Sequence, residues 1–151
     1  HLDHVFGNKW VYETFKTPLH IHKNEIETLH MAPTAGLMWG IPFDNYEGPV
    51  IELIPGSKLS INNDHLDIFF TPGHSPGHLS FYSEEGGWII SGDVLFRESI
   101  GRTDLPGGNH QRLLETIREV FWQLPNDTRV CSGHGAETTI EHEKKFNPFL
   151  N

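Results

Sequence analysis

The chain opens on His1-Leu2-Asp3-His4, two imidazoles and a carboxylate within four positions. Neutral imidazoles donate to divalent metals, and a carboxylate adds a hard oxygen ligand or orients a bound water. Alone, such a tetrapeptide reads as a tag remnant or a solvated terminus. Three further residues of the same chemistry follow at turns. His74 lies in Thr71-Pro72-Gly73-His74-Ser75-Pro76-Gly77-His78, Asp93 follows Ser91-Gly92, and His134 lies in Ser132-Gly133-His134-Gly135. A single loop histidine is usually solvated, and an aspartate after glycine is usually a turn residue. The set is harder to dismiss, because ordered spacing, strand-end placement and ligand chemistry agree.

The elements around these residues are readable from periodicity. Phe6, Trp10, Val11 and Phe15 fall near helical spacing and predict a short helix leading away from the first motif, with those residues as its apolar side and Thr17-Pro18 as its stop. Leu19 to His22 alternates as a strand, with His20 and His22 on one polar face and His22 as a group that could orient a ligand. Asn24 is expected to cap a helix from Glu25 to Met31, and Pro33 to Ile41 a second short helix. Lys58–Ile61 and Leu66–Phe70 flank Asn62-Asn63-Asp64 as a hairpin, and Leu79–Tyr82 and Trp88–Ile90 flank Glu84–Gly87 as another. Two prolines and two glycines make residues 71–78 a rigid turn. Arg97 to Gly108 reads as a loop. Asn109 is expected to cap a helix to about Leu124 that buries Leu113, Leu114, Ile117, Val120, Phe121 and Leu124. Thr128–Cys131 reads as a strand, and Thr138 to about Phe146 as a last helix stopped by Asn147-Pro148. Hairpins among alternating strands and helices imply an α/β fold with mixed sheets.

Composition bounds the function. The 151 residues suit one domain, 1–151, with a real core. The net charge of −9 argues against a nucleic-acid backbone or an anionic membrane surface as partner. Eleven histidines are the compositional outlier. The single Cys131 excludes an internal disulfide, which fits a cytoplasmic location. No apolar run approaches the ~20 residues of a membrane span.

The combination resembles the metallo-β-lactamase superfamily, whose signature is His-x-His-x-Asp-His followed by a distant His, a bridging Asp and a final His. His1-Leu2-Asp3-His4 matches the last four signature positions, and the turns at His74, Asp93 and His134 match the later ones. The stretch Ile100–Gly108 and the ending from Gly133 to Leu150 are similar to small glyoxalase II-like proteins, the hydroxyacylglutathione hydrolases. The resemblance implies a four-layer αββα sandwich with mixed sheets. The first signature histidine would precede His1, so the domain is expected to be N-terminally incomplete and to lack its opening strands.

The resemblance also implies two divalent metal ions. The absent histidine, His1 and His74 would hold one, Asp3, His4 and His134 the other, and Asp93 would bridge them. Zinc is the default metal, with iron and manganese also suited. The implied activity is hydrolysis of a small-molecule thioester by a metal-bridging hydroxide that Asp3 helps to orient. His78 is a further candidate for orienting a ligand, and Arg102 with Asp104 for bracing the loop beside the site. Cys131 reads as a strand residue and not a nucleophile. Two alternatives stand beside this reading: a mononuclear iron persulfide dioxygenase, and a non-catalytic metal-binding protein. The turn Ser75–His78 and Gly135 favour the hydrolase, because the persulfide-oxidising relatives tend to carry Cys at the position of His78 and lack Gly after the last His.

Overall fold

A computed structural model describes residues 1–150 as two compact units, His1–Leu53 and Ile54 onward. The first unit contains α1 (Leu2–Val5), α2 (Asn8–Phe15), β1 (Leu19–Ile21), a 3-10 turn (Lys23–Glu25), α3 (Ile26–Met38) and β2 (Val50–Glu52). The parallel strands β1 and β2 pair Leu19 with Val50 and Ile21 with Glu52. Tyr46 closes this pairing, since its hydroxyl accepts from the Leu19 amide at 3.0 Å and donates to the Pro49 carbonyl.

Three expectations are corrected here. The helix begins within the first motif and breaks at Gly7, so Asp3 and His4 are helical. The expected helix is present as α2, with Trp10 and Phe15 each 64% accessible. His22, not Asn24, makes the cap: its Nδ1 accepts from the Asn24 amide at 3.3 Å. Finally, Pro33 does not split α3. Proline removes the amide that would bond the carbonyl four residues back, and here that carbonyl, Leu29 O, accepts instead from Asn45 Nδ2 at 2.7 Å. A side chain 16 residues downstream replaces the lost backbone donor, a substitution that local periodicity does not reveal.

The second unit is built on a sheet ordered β10-β9-β6-β5-β4-β3 among the described residues. Its strands are β3 (Lys58–Ile61), β4 (Asp64–Phe70), β5 (Leu79–Ser83), β6 (Trp88–Gly92), β9 (Arg129–Ser132) and β10 (Thr138–Thr139). Both expected hairpins are present, β3/β4 around a left-handed Asn62 and β5/β6 around Glu84–Gly87. Asparagine tolerates that conformation better than most residues. Only β6 and β9 run parallel, so the sheet is mixed. A small hairpin, β7 (Leu95–Phe96) with β8 (Ser99–Ile100), occupies the start of the expected loop; its strands are too short for periodicity to show.

Helix α4 (His110–Glu119) is capped by Asn109, whose side chain accepts from the Arg112 amide at 2.9 Å. It ends five residues before Leu124 was expected to end it, and a 3-10 turn over Phe121–Gln123 completes the segment. Its buried Leu113 and Ile117 join Phe121, Ile89, Val94 and Val130 in a core at 0% exposure. Helix α5 (Ile140–Phe146) starts after β10, with Thr139 accepting from the His142 amide. No helix among the described residues is long and apolar enough to cross a membrane.

Candidate metal centre

His74 is presented by a turn fastened at several points. The Thr71 amide donates to the His78 carbonyl at 2.9 Å, closing the turn. Thr116 Oγ1 on α4 donates to the Pro72 carbonyl at 2.7 Å, and the Asn109 amide donates to the Gly73 carbonyl at 2.7 Å. Gly73 sits at φ 135°, and a Cβ there would run into the Leu113 backbone, so only glycine lets the turn lie this close to α4. The His74 ring is 5% exposed. Its Nδ1 lies 2.8 Å from the Arg102 carbonyl. A carbonyl only accepts, so Nδ1 carries the proton and Nε2 presents its lone pair. That Nε2 is 3.6 Å from Asp93 Oδ2.

Asp93 follows β6 and is 8% exposed. Gly92, at φ 50°, makes the turn, and a Cβ on it would approach His78 Nε2 to 2.5 Å. His78 Nε2 accepts from the Asp93 amide at 3.3 Å. The proton of that ring is therefore on Nδ1, which donates to Thr71 Oγ1 at 2.8 Å, and Thr71 Oγ1 in turn meets Ser80 Oγ at 2.9 Å. Gly101 closes the other side: a Cβ on it would run into the Asp93 carbonyl and come within 3.3 Å of His74 Nδ1.

His134 arrives from the neighbouring parallel strand. Parallel pairing of β6 with β9 brings both carboxyl ends to one edge, with Gly92 opposite Ser132. The Gly133 amide donates to the Gly92 carbonyl at 2.9 Å, and Ser132 Oγ donates to the Leu95 carbonyl at 2.8 Å. His134 Nε2 lies 3.5 Å from Asp93 Oδ2, and its side chain is 57% exposed.

The donor types suit divalent metal, with the Asp93 carboxylate shared between the two imidazoles. Two imidazole nitrogens face one carboxylate oxygen at 3.5 and 3.6 Å. Those separations exceed ordinary hydrogen bonds. Each matches the roughly 3.3–3.6 Å edge between two ligands of a tetrahedral site with metal–ligand bonds of about 2.0–2.2 Å. Lone pairs directed at one another are stable when a cation lies between them, and the tautomer of His74 is already fixed in the ligating form.

Of the other expected ligands, His1, Asp3 and His4 belong to the first unit. There Asp3 Oδ2 and His4 Nε2 are 3.5 Å apart on α1, and the His1 carbonyl accepts from the His4 amide at 3.1 Å. His22, expected as an orienting group, is a buried helix cap. Arg102 and Asp104 do form the expected brace, bidentate at 2.8 Å for both bonds. The guanidinium holds the Asp104 carboxyl down to about 2. Burial, with Glu137 nearby, pushes the Cys131 thiol up, away from the thiolate a nucleophile needs. Sequence reasoning missed the two main-chain partners, the Arg102 carbonyl and the Asp93 amide. Backbone groups carry no residue-type signal; only the glycines at 92 and 101 hinted that main chain approaches closely there.

The profile of the Metallo-beta-lactamase superfamily matches residues 1–134. The probable metallo-hydrolase YqgX of Bacillus subtilis is 44% identical, over all of this chain and 72% of that protein. The hydroxyacylglutathione hydrolase GloC of Haemophilus influenzae is 43% identical over 64% of this chain and 45% of its own length. Among solved structures, TTHA1623 in a di-iron-bound form superposes with TM-score 0.91 at 37% identity, covering 99% of this chain and 73% of that one. The BLEG-1 B3 metallo-beta-lactamase superposes with TM-score 0.89 at 40% identity, with the same coverage.

Proposed function

The chain belongs to the metallo-β-lactamase superfamily and has its α/β fold with mixed sheets, and from that premise we propose that it is a metal-dependent hydrolase of thioesters of the hydroxyacylglutathione type. The observation that carries this reading is the convergence of His74 Nε2 and His134 Nε2 on the buried carboxylate of Asp93. The sequence pattern assigns His1, Asp3 and His4 the remaining ligand roles, for two ions in all, with Asp3 also orienting the attacking water. A bound divalent metal would supply a water acidic enough to attack at neutral pH and Lewis-acid polarisation of the substrate carbonyl.

This chain's own residues do the rest. Arg102 O holds His74 so that Nε2 stays unprotonated and aimed. His78 fixes the Asp93 backbone through its amide. The exposure of His134 leaves that side of the site open to substrate. Phe96, with its ring centroid 6.3 Å from that of His134, adds an apolar surface beside it. A thiolate leaving group, of pKa ~8.5 when unperturbed, departs without needing a strong general acid. This suits a chain whose only cysteine, Cys131, has its thiol pushed up and whose candidate site is built of metal donors. The likeness to GloC supports a thioester substrate, and the di-iron form of TTHA1623 supports iron beside zinc as the resident metal.

One observation favours a second reading. The 40% identity to the BLEG-1 B3 metallo-beta-lactamase extends over 99% of the chain, further than the match to GloC. Addition of water to a β-lactam carbonyl uses the same donors. Parallel assays of metal-replete protein with S-lactoylglutathione and with a β-lactam separate the two. Thioester turnover well above β-lactam turnover is expected, and the reverse order would replace the first reading with the second. Oxygen consumption with a persulfide would overturn both.

A further inference from the structure

Glu143 on α5 is 0% exposed, and none of the roles above uses it. A carboxyl group is seldom buried unless hydrogen bonds answer its lone pairs. Here both oxygens accept. Oε1 takes the hydroxyl of Thr138, and Oε2 takes the Glu98 amide at 2.9 Å and Asn147 Nδ2 at 2.7 Å.

Two of these donors lead to one place. Glu98 is the left-handed residue, φ 55°, at the tip of the β7/β8 hairpin. Asn147 Nδ2 also donates to the Ser99 carbonyl at 3.0 Å. The tip of the hairpin is thus tied to α5 through Glu143 and its neighbour. The base of the same hairpin is the floor of the metal centre. Its two strands leave from Asp93-Val94 on one side and enter Gly101-Arg102 on the other, joined by the Gly101 amide donating to the Val94 carbonyl at 3.1 Å. Asp93 supplies the shared carboxylate, and the Arg102 carbonyl sets the tautomer of His74.

We propose that Glu143 is a positioning residue for the metal centre: it seats the β7/β8 hairpin whose base carries Asp93 and the carbonyl that aims His74. The inference rests on the reading of His74, Asp93 and His134 as metal ligands. Loss of a purely stabilising Glu143 would lower the unfolding midpoint and leave the metal affinity of the folded protein unchanged. Loss of a positioning Glu143 changes both.

The test compares Zn²⁺ affinity by chelator competition, and the Co²⁺ absorption spectrum, at a temperature well below each variant's unfolding midpoint. Glu143→Leu removes the acceptor of the Glu98 amide and should weaken metal binding about tenfold, with an altered Co²⁺ spectrum, as loss of a ligand-orienting partner does. Glu143→Gln keeps an oxygen for the hairpin tip and should restore affinity. Thr138→Val deletes the donor that does not lead to the hairpin, and should lower stability while leaving affinity unchanged. Glu143→Leu with parental affinity and spectrum would overturn the inference. So would Thr138→Val that weakens binding as much as Glu143→Leu, because the effect would then follow stability alone. Should Glu143→Leu not fold, Asn147→Ser, which cuts the tie to Ser99, is read by the same two outcomes. Absence of metal binding by the unaltered protein would instead remove the reading of the site, and this inference with it.

Discussion

Two side chains near the centre have consequences that can be measured residue by residue. Asp104 is exposed, yet its bidentate bond with Arg102 holds its carboxyl at about 2, below the ordinary 3.8. A carboxyl depressed in the folded state favours folding above its unfolded pKa, and that contribution disappears as the pH falls from about 3.8 through about 2. Carboxyl chemical shifts should therefore show Asp104 titrating near 2, and Arg102→Ala should return it towards 3.8. A titration unchanged by Arg102→Ala would mean that the ion pair does not brace the loop in solution. His78 makes a stronger claim. His78→Ala strips the acceptor from the Asp93 amide. The cost should be about 1–3 kcal/mol in stability, since a partly buried donor loses its partner. Metal affinity should fall by about 10–100-fold, the usual effect of losing such a support. Unchanged affinity in calorimetric titration would show that the Asp93 turn holds itself.

At the scale of elements, the centre depends on how α4 grips the turn before His74. Thr116 is fully buried and its hydroxyl reaches back 44 residues to the Pro72 carbonyl. Thr116→Val preserves shape and β-branching but leaves that carbonyl short of a donor. We expect a loss of about 1–2 kcal/mol in denaturant unfolding and weaker metal binding; parental stability would contradict the role given to α4. The same element shows what the sequence could reveal. The Asn109 cap and the buried Leu113, Ile117 and Phe121 were legible because capping chemistry and helical spacing are local. The two hairpins around Asn62 and Glu84–Gly87 were legible for the same reason. Pro33 was misleading. Its missing amide is answered by Asn45 Nδ2, and β7/β8 gains its seat from Glu143; both are long-range bonds that no window of sequence contains.

For the molecule as a whole, the candidate ligands were more legible than the groups that support them. Imidazole and carboxylate at strand ends suggest metal ligands by residue type, and the second unit brings His74 and His134 to within 3.6 Å of Asp93. The groups that aim them are main-chain atoms of Arg102 and Asp93, and a buried glutamate on α5, whose roles exist only in the folded chain. The exposed Trp10 and Phe15 show that helical periodicity located α2 without saying whether its apolar residues are buried. Both kinds of reading meet in the claim that hydrolysis here depends on metal held by these donors. The most direct measurement follows S-lactoylglutathione hydrolysis by its thioester absorbance, alongside metal content per chain, before chelation, after chelation and after restoring Zn²⁺ or Fe²⁺. The account predicts turnover that disappears with the metal, returns with it, and is absent from Asp93→Ala. Turnover that survives metal removal, or no turnover with metal bound, would contradict it.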